Sequence, residues 1–284
     1  MAALTALAPA AWGTTYIVTT ELLPPGRPML AATLRALPAG VLVVLIARSW
    51  LHGAWWWRSA LLGMLNFTAY FPLLFFSAYR LPGGVAATVN SLQPLLVAGW
   101  SAALLDIHPS ARRLAAGLLG VVGVALLVLT SQARLDALGL SAMLVATVAM
   151  ALAVVLAKRW GRPPGTSWVA FTGWQLAMGG LALVPVTLFL EGLPPRLTLS
   201  HMAGFTYLGT IGTAVAYALW FRGIERLSAA SVSFLGLTSP VVATLAGLTL
   251  LDQTLSEWQT AGLLLVTVSI AWGQDRRRAL RSGG

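Results

Sequence analysis

Arg80, Leu81, Pro94, Leu104, Leu105 and Asp106 recur as Arg226, Leu227, Pro240, Leu250, Leu251 and Asp252, each 146 residues later and without a gap. The same offset pairs Ser110 with Ser256, Ala115 with Ala261 and Val122 with Val268. A chain that repeats itself in this way folds as two copies of one unit, 1–135 and 136–284, within one domain. Whatever topology the first half takes, the second must be able to take as well.

The solvent for both halves is lipid. The 284 residues are 58% hydrophobic and 9% charged, against about 25% charged for a soluble protein. Apolar runs of about 20 residues, bounded by charges and Pro/Gly turns, predict ten transmembrane helices. They fall near 2–20, 28–48, 57–79, 82–105, 112–131, 137–157, 167–190, 201–221, 228–251 and 257–274. The class is all-α, polytopic, with loops too short for a separate soluble domain. Ala8, Pro9 and Ala10 faintly imitate a signal-peptide cleavage site without the positive leader, so the first span reads as uncleaved. There is no cysteine, hence no thiol chemistry.

Net charge +10 does not form a nucleic-acid stripe, because the basic residues sit in short groups between apolar runs. With the N-terminus inside, 13 of the 18 Lys and Arg fall in inner segments, four (Arg27, Arg80, Arg134, Arg196) fall outside, and Arg35 lies within a span. That bias places both termini in the cytoplasm. An offset of five spans is odd, so the second five-helix repeat is predicted to be inverted relative to the first. Two inverted halves supply one gate per membrane face, the architecture of alternating access.

A family resemblance rests on Trp12 and Gly13, Arg35, the run Ala78, Tyr79, Arg80, Leu81 leading through Ala86 and Ala87 to Pro94, and the echo of Leu105-Asp106 in Leu251-Asp252. In order and spacing these resemble the EamA-type ten-helix members of the drug/metabolite transporter superfamily. The resemblance covers nearly the whole chain and implies metabolite export through a bacterial inner membrane. Asn90, four residues before Pro94, is most similar to the aromatic amino-acid exporters, whereas Gln93 and Ala149 stand where those carry aromatics. The resemblance therefore implies neutral amino acids as the substrate class, with an aromatic preference left open.

Mid-depth polar and aromatic residues mark the candidate substrate site: Trp12 with Tyr16, Asn66 with Tyr70, and Asn90 with Gln93, at helical spacings of three or four. Amides supply both donors and acceptors to a zwitterion, and aromatic rings hold an ammonium or stack on a side chain. The same amides also serve as interhelical bonds in membrane bundles. Arg35, roughly 12 Å from the outer end of its span at 1.5 Å per residue, is either a counter-charge for a substrate carboxylate or a cap for backbone carbonyls of a broken neighbour. Pro94 and Pro240 are candidate hinges at matching mid-span positions. Thr210, Thr213 and Tyr217 form a further stripe, and Gly117, Gly120 and Gly123 a small-residue face through which spans five and ten would meet within a monomer.

All eight Asp and Glu and all three His lie at span ends or in loops. Without an intramembrane proton relay, the expected mode is facilitated diffusion or exchange. An intramembrane enzyme would need an activated nucleophile or a metal cluster at depth, so no catalytic residue, metal or cofactor is expected. A drug or nucleotide sugar is the rival cargo, but a phosphate would call for more inward cations than Arg35 alone.

Overall fold

The computed structural model describes residues 1–81, 83–128, 136–194, 196–250 and 256–273, with the backbone alone for 16, 83–85, 128, 243 and 246–250. The expected landmarks Arg134, Leu251, Asp252, Asp275 and the C-terminal arginines lie outside the described residues, as does the side chain of Tyr16. Every regular element among the described residues is helical.

The first half runs α1 (Ala2–Gly13), α2 (Thr15–Leu22), α3 (Pro28–Ala47), α4 (Trp55–Gly63), α5 (Tyr70–Arg80), α6 (Gly83–Asn90), α7 (Gln93–Leu105) and α8 (Ala111–Val128). The second half runs α9 (Ala137–Trp160), α10 (Trp168–Leu190), α11 (Leu199–Gly209), α12 (Ala216–Arg226), α13 (Ala229–Leu235), α14 (Thr238–Leu250) and α15 (Glu257–Gly273). One π-helical stretch, π1 (Met64–Ala69), joins α4 to α5 and another, π2 (Thr210–Val215), joins α11 to α12. They stand 146 residues apart, as the landmarks do. Five of the described helical runs are long and apolar enough to cross a bilayer: Pro28–Ala47, Trp55–Arg80, Ala137–Trp160, Trp168–Leu190 and Leu199–Arg226.

Three stretches expected as single spans are broken helices. Pro94 has no N–H to offer the carbonyl of Asn90, so the chain closes α6 with a tight turn, Leu92 N–H to Val89 O at 3.1 Å, and restarts as α7 with the proline in its first turn. Pro240 does the same after Gly236 and Leu237, whose N–H groups return to Ser233 O and Phe234 O at 3.1 Å each. The first span breaks at Thr14, where the hydroxyl takes up the carbonyl of Ala11 at 2.8 Å. The prolines thus separate helices, where the sequence predicts kinks within continuous ones.

Packing depends on small residues. On the α3–α10 contact, a Cβ at Gly40 would lie 2.3 Å from the backbone nitrogen of Ala177, and one at Gly180 2.6 Å from that of Leu37. On α8–α15, a Cβ at Gly123 would meet the Val266 nitrogen at 2.8 Å and one at Gly262 the Gly123 oxygen at 2.6 Å. Gly120 also faces α15, at Ser269, whereas Gly117 packs on Leu95 of α7. The contacts are reciprocal between the halves: α1 packs on α12 and α14 of the other half, and its counterpart α9 packs on α5 and α7. Large apolar side chains face outward, among them Ile46 (72% exposed), Phe189 (89%) and Leu264 (63%), the arrangement of a protein whose surroundings are lipid. Arg58 near a span end is surrounded by Trp55, Trp57 and Trp160, its guanidinium 4.9–5.6 Å from their rings, an interfacial anchor.

Candidate functional site

A small cavity of about 40 Å³ lies where the halves meet, lined by Trp12, Thr15, Arg35, Tyr70, Phe71, Leu74, Asn90, Gln93, Met150, Tyr217, Gly236 and Ser239. That is room for roughly three waters at 10–15 Å³ each. Five expected residues, Trp12, Arg35, Tyr70, Asn90 and Gln93, are brought together here from α1, α3, α5, α6 and α7. The second half contributes Met150 from α9, Tyr217 from α12, and Gly236 and Ser239 from the broken segment before Pro240.

Arg35 is 2% exposed. Its Nε donates to Thr213 Oγ1 at 2.9 Å, its Nη2 to the Gly212 carbonyl at 3.0 Å, and its Nη1 reaches Thr15 Oγ1 only at 3.5 Å. The guanidinium lies 4.6 Å from the centre of the Phe71 ring. Gly212 belongs to π2, where the shifted ladder releases a backbone oxygen. That oxygen also accepts the Trp12 indole N–H at 3.0 Å. Arg35 therefore does cap the carbonyl of an irregular helix, and it lines the cavity as well. No carboxylate pairs with it among the described residues, so its positive charge is offset only by neutral oxygens and an aromatic face.

The amides differ in their partners. Asn90 Oδ1 accepts from Thr147 Oγ1 at 3.4 Å. Gln93 is 6% exposed and its Nε2 has no partner, an unmet donor of the kind that costs about 1–3 kcal/mol to bury. Asn66 does not line the cavity: it is 1% exposed and donates from Nδ2 to Gln175 Oε1 at 3.2 Å, an amide pair between π1 and α10. Gln175 is the eighth residue of α10 as Arg35 is of α3, and each meets the π-helical stretch of the other half. Pro94 and Pro240 wall an adjoining pocket of about 20 Å³ that shares Asn90, Gln93, Gly236 and Ser239 with the central one.

Trp12 packs 4.9 Å from Tyr217 and 5.0 Å from Trp220, ring centre to ring centre, forming the aromatic wall. Of the Thr210–Tyr217 stripe, Thr210 bonds within its helix, to Thr206 O at 2.7 Å, Thr213 receives Arg35, and Tyr217 reaches the cavity. Thr15, Phe71, Leu74 and Met150 carry no sequence signal of their own. Leu74 stands four residues after Tyr70, and so on its face, and Phe71 is legible only once Arg35 is seen above it.

The model of the EamA-like transporter family matches residues 1–129 and again 137–272, one copy per half. The chain belongs to the EamA-like transporter family. Protein PecM of Dickeya dadantii is 45% identical over 268 residues, spanning 94% of this chain and 90% of that one. An uncharacterized transporter of Synechocystis, sll0355, is 27% identical, over 91% and 85% of the two chains. A solved crystal structure superposes with a TM-score of 0.77 over 96% of this chain and 97% of that one at 20% identity, a likeness of fold. As a member of the EamA-like family the protein is a transporter of the membrane.

Proposed function

We propose that the protein exports neutral amino acids from the cytoplasm across a bacterial inner membrane, by alternating access around the central cavity and in facilitated diffusion or exchange. The observation that carries this reading is the composition of the cavity: one guanidinium, two amides and an aromatic wall, with no carboxylate or imidazole among the described residues of its lining. Once the halves part and the cavity widens, an amino acid's carboxylate would pair with the Arg35 edge and accept from Gln93 Nε2, with its ammonium and side chain against the amide oxygens and the Trp12, Tyr70 and Tyr217 rings. The single buried guanidinium suits one carboxylate better than the several charges of a nucleotide sugar. That no carboxylate or imidazole lines the cavity among the described residues favours exchange over proton coupling.

Ten crossings in two inverted repeats, with both termini cytoplasmic, complete the proposal. Supporting it, π1 and π2 recur at the 146-residue offset. The close contact of Ser269 Oγ with Ala116 O at 2.6 Å corresponds under that offset to the approach of Gly123 to Gly262, the reciprocity of a two-fold axis. The test is counterflow in proteoliposomes: labelled neutral amino acids should exchange without a pH gradient. Exchange of none, or strict dependence on an imposed gradient, would refute the reading.

A further inference from the structure

Asn90 and Gly236 hold the same place in the two halves, 146 residues apart, and both line the central cavity. One presents an amide, the other no side chain at all. The backbone does not call for glycine there. Gly236 has φ −55° and ψ −30°, a right-handed helical conformation open to every L residue, and glycine loses more chain freedom in adopting it than any other residue does. What the missing side chain supplies is space, and that space opens on the cavity.

A Cβ at Gly236 would stand 3.3 Å from Gln93 Oε1 and 3.8 Å from Cη2 of Trp220. It would also stand 3.0 Å from the carbonyl oxygen of Ser233, one turn back on its own chain, which would have to give by a few tenths of an ångström. The vacant place therefore lies between the Gln93 carboxamide and the six-membered ring of Trp220. Trp12, 5.0 Å from Trp220 between ring centres, and Met150 continue the apolar wall. Seating Gln93 does not by itself account for the glycine. With Oε1 turned to Gly236, the amide keeps Nε2 buried and without a partner, a donor that packing leaves unspent. We infer that Gly236 sets the size of side chain the site accepts. Once the halves part, the cargo's side chain takes the place that a residue like Asn90 would fill in the second half, while its carboxylate is held by Arg35 and Gln93 Nε2. A neutral amino acid with a large apolar side chain fills that place against the indole; one as small as alanine leaves the contact unmade. This inference rests on reading the central cavity as an amino-acid site.

Counterflow of labelled phenylalanine, leucine and alanine in proteoliposomes, run on wild type, Gly236→Ala and Gly236→Asn, reads the size limit as a ratio of rates. Wild type should exchange phenylalanine and leucine faster than alanine. Gly236→Ala should lower the ratio of phenylalanine to alanine about tenfold, the scale of one carbon in an apolar pocket. Gly236→Asn, which restores the residue of the first half, should lower it further. A substitution that merely disturbs packing, or the seat of Gln93, slows all three probes alike. A ratio that either folded variant leaves unchanged overturns the inference and leaves the amino-acid reading standing. Exchange of none of the three by wild type overturns that reading, and the inference with it. Should neither variant fold, as judged by the Tm of the purified full chain, wild type decides alone: alanine exchanging as fast as phenylalanine overturns the size limit, and the reverse order upholds it.

Discussion

Arg35 holds π2 to α3 and in the proposed reading also meets the cargo, and one substitution tests both. Lysine keeps the charge but cannot span Gly212 O and Thr213 Oγ1 while staying over the Phe71 ring. Losing charge-assisted hydrogen bonds of about 1.5–3 kcal/mol each, Arg35→Lys should lower Tm by several degrees and amino-acid exchange by more than tenfold. Gln93 should behave in the opposite sense for stability. Its Nε2 is buried without a partner, so Gln93→Leu should leave Tm unchanged or raise it while exchange falls at least tenfold; a drop in both would make Gln93 a structural residue. Depth and polarity made Arg35, Asn90 and Gln93 legible in the sequence, since a polar group in lipid needs a reason to be there. Nothing in the sequence separates Asn66 from them. Its partner Gln175 is 109 positions away, and only the pairing of π1 with α10 shows the amide to be spent on packing.

Among the elements, five of the expected spans stand as helical runs long and apolar enough to cross a bilayer, legible because hydropathy alone delimits them, and the proline breaks are half legible. Helix-breaking residues are visible in sequence, but whether a helix bends or ends depends on what takes the freed carbonyls. The π-helical stretches were not legible, because an extra residue in a helical turn leaves no mark in composition, and only the 146-residue recurrence shows the two as one device. Helix contacts give sharper expectations. Gly40→Ala puts a methyl against the backbone of α10 and should destabilise by about 1–3 kcal/mol, whereas Gly99→Ala, with nothing within 4 Å, should be neutral or stabilise by up to about 1 kcal/mol; melting in one detergent compares the pair. The start of α9 gives a pH dependence. Asp136 accepts from Gly139 N–H at 2.7 Å and pairs with Arg80 at 3.1 Å, and these hold its carboxyl below the ordinary carboxylate range, the backbone bond foremost. A depressed value means the contribution is present above the ordinary range and lost as pH falls through the native one. Between about pH 5 and pH 3, across the usual carboxylate titration, wild type should lose more Tm than Asp136→Asn, which keeps the cap but has no proton to gain.

For the whole molecule, the proposed cargo site lies where the duplication is broken. Gly236 and Ser239 occupy in the second half the positions of Asn90 and Gln93, and all four line the same cavity. Inversion of the halves predicts that single cysteines at positions 80 and 226, in a chain with no cysteine of its own, label from opposite faces of the membrane; labelling from one face only would contradict it. The account as a whole stands on one site being reached from both sides in turn. Ser239→Cys places a small, reactive probe in the wall of the central cavity. A membrane-impermeant thiol reagent should modify it in oriented vesicles when added from either face, and excess neutral amino acid should slow both reactions. Modification from one face alone, or at rates that amino acids leave unchanged, would contradict alternating access around this cavity.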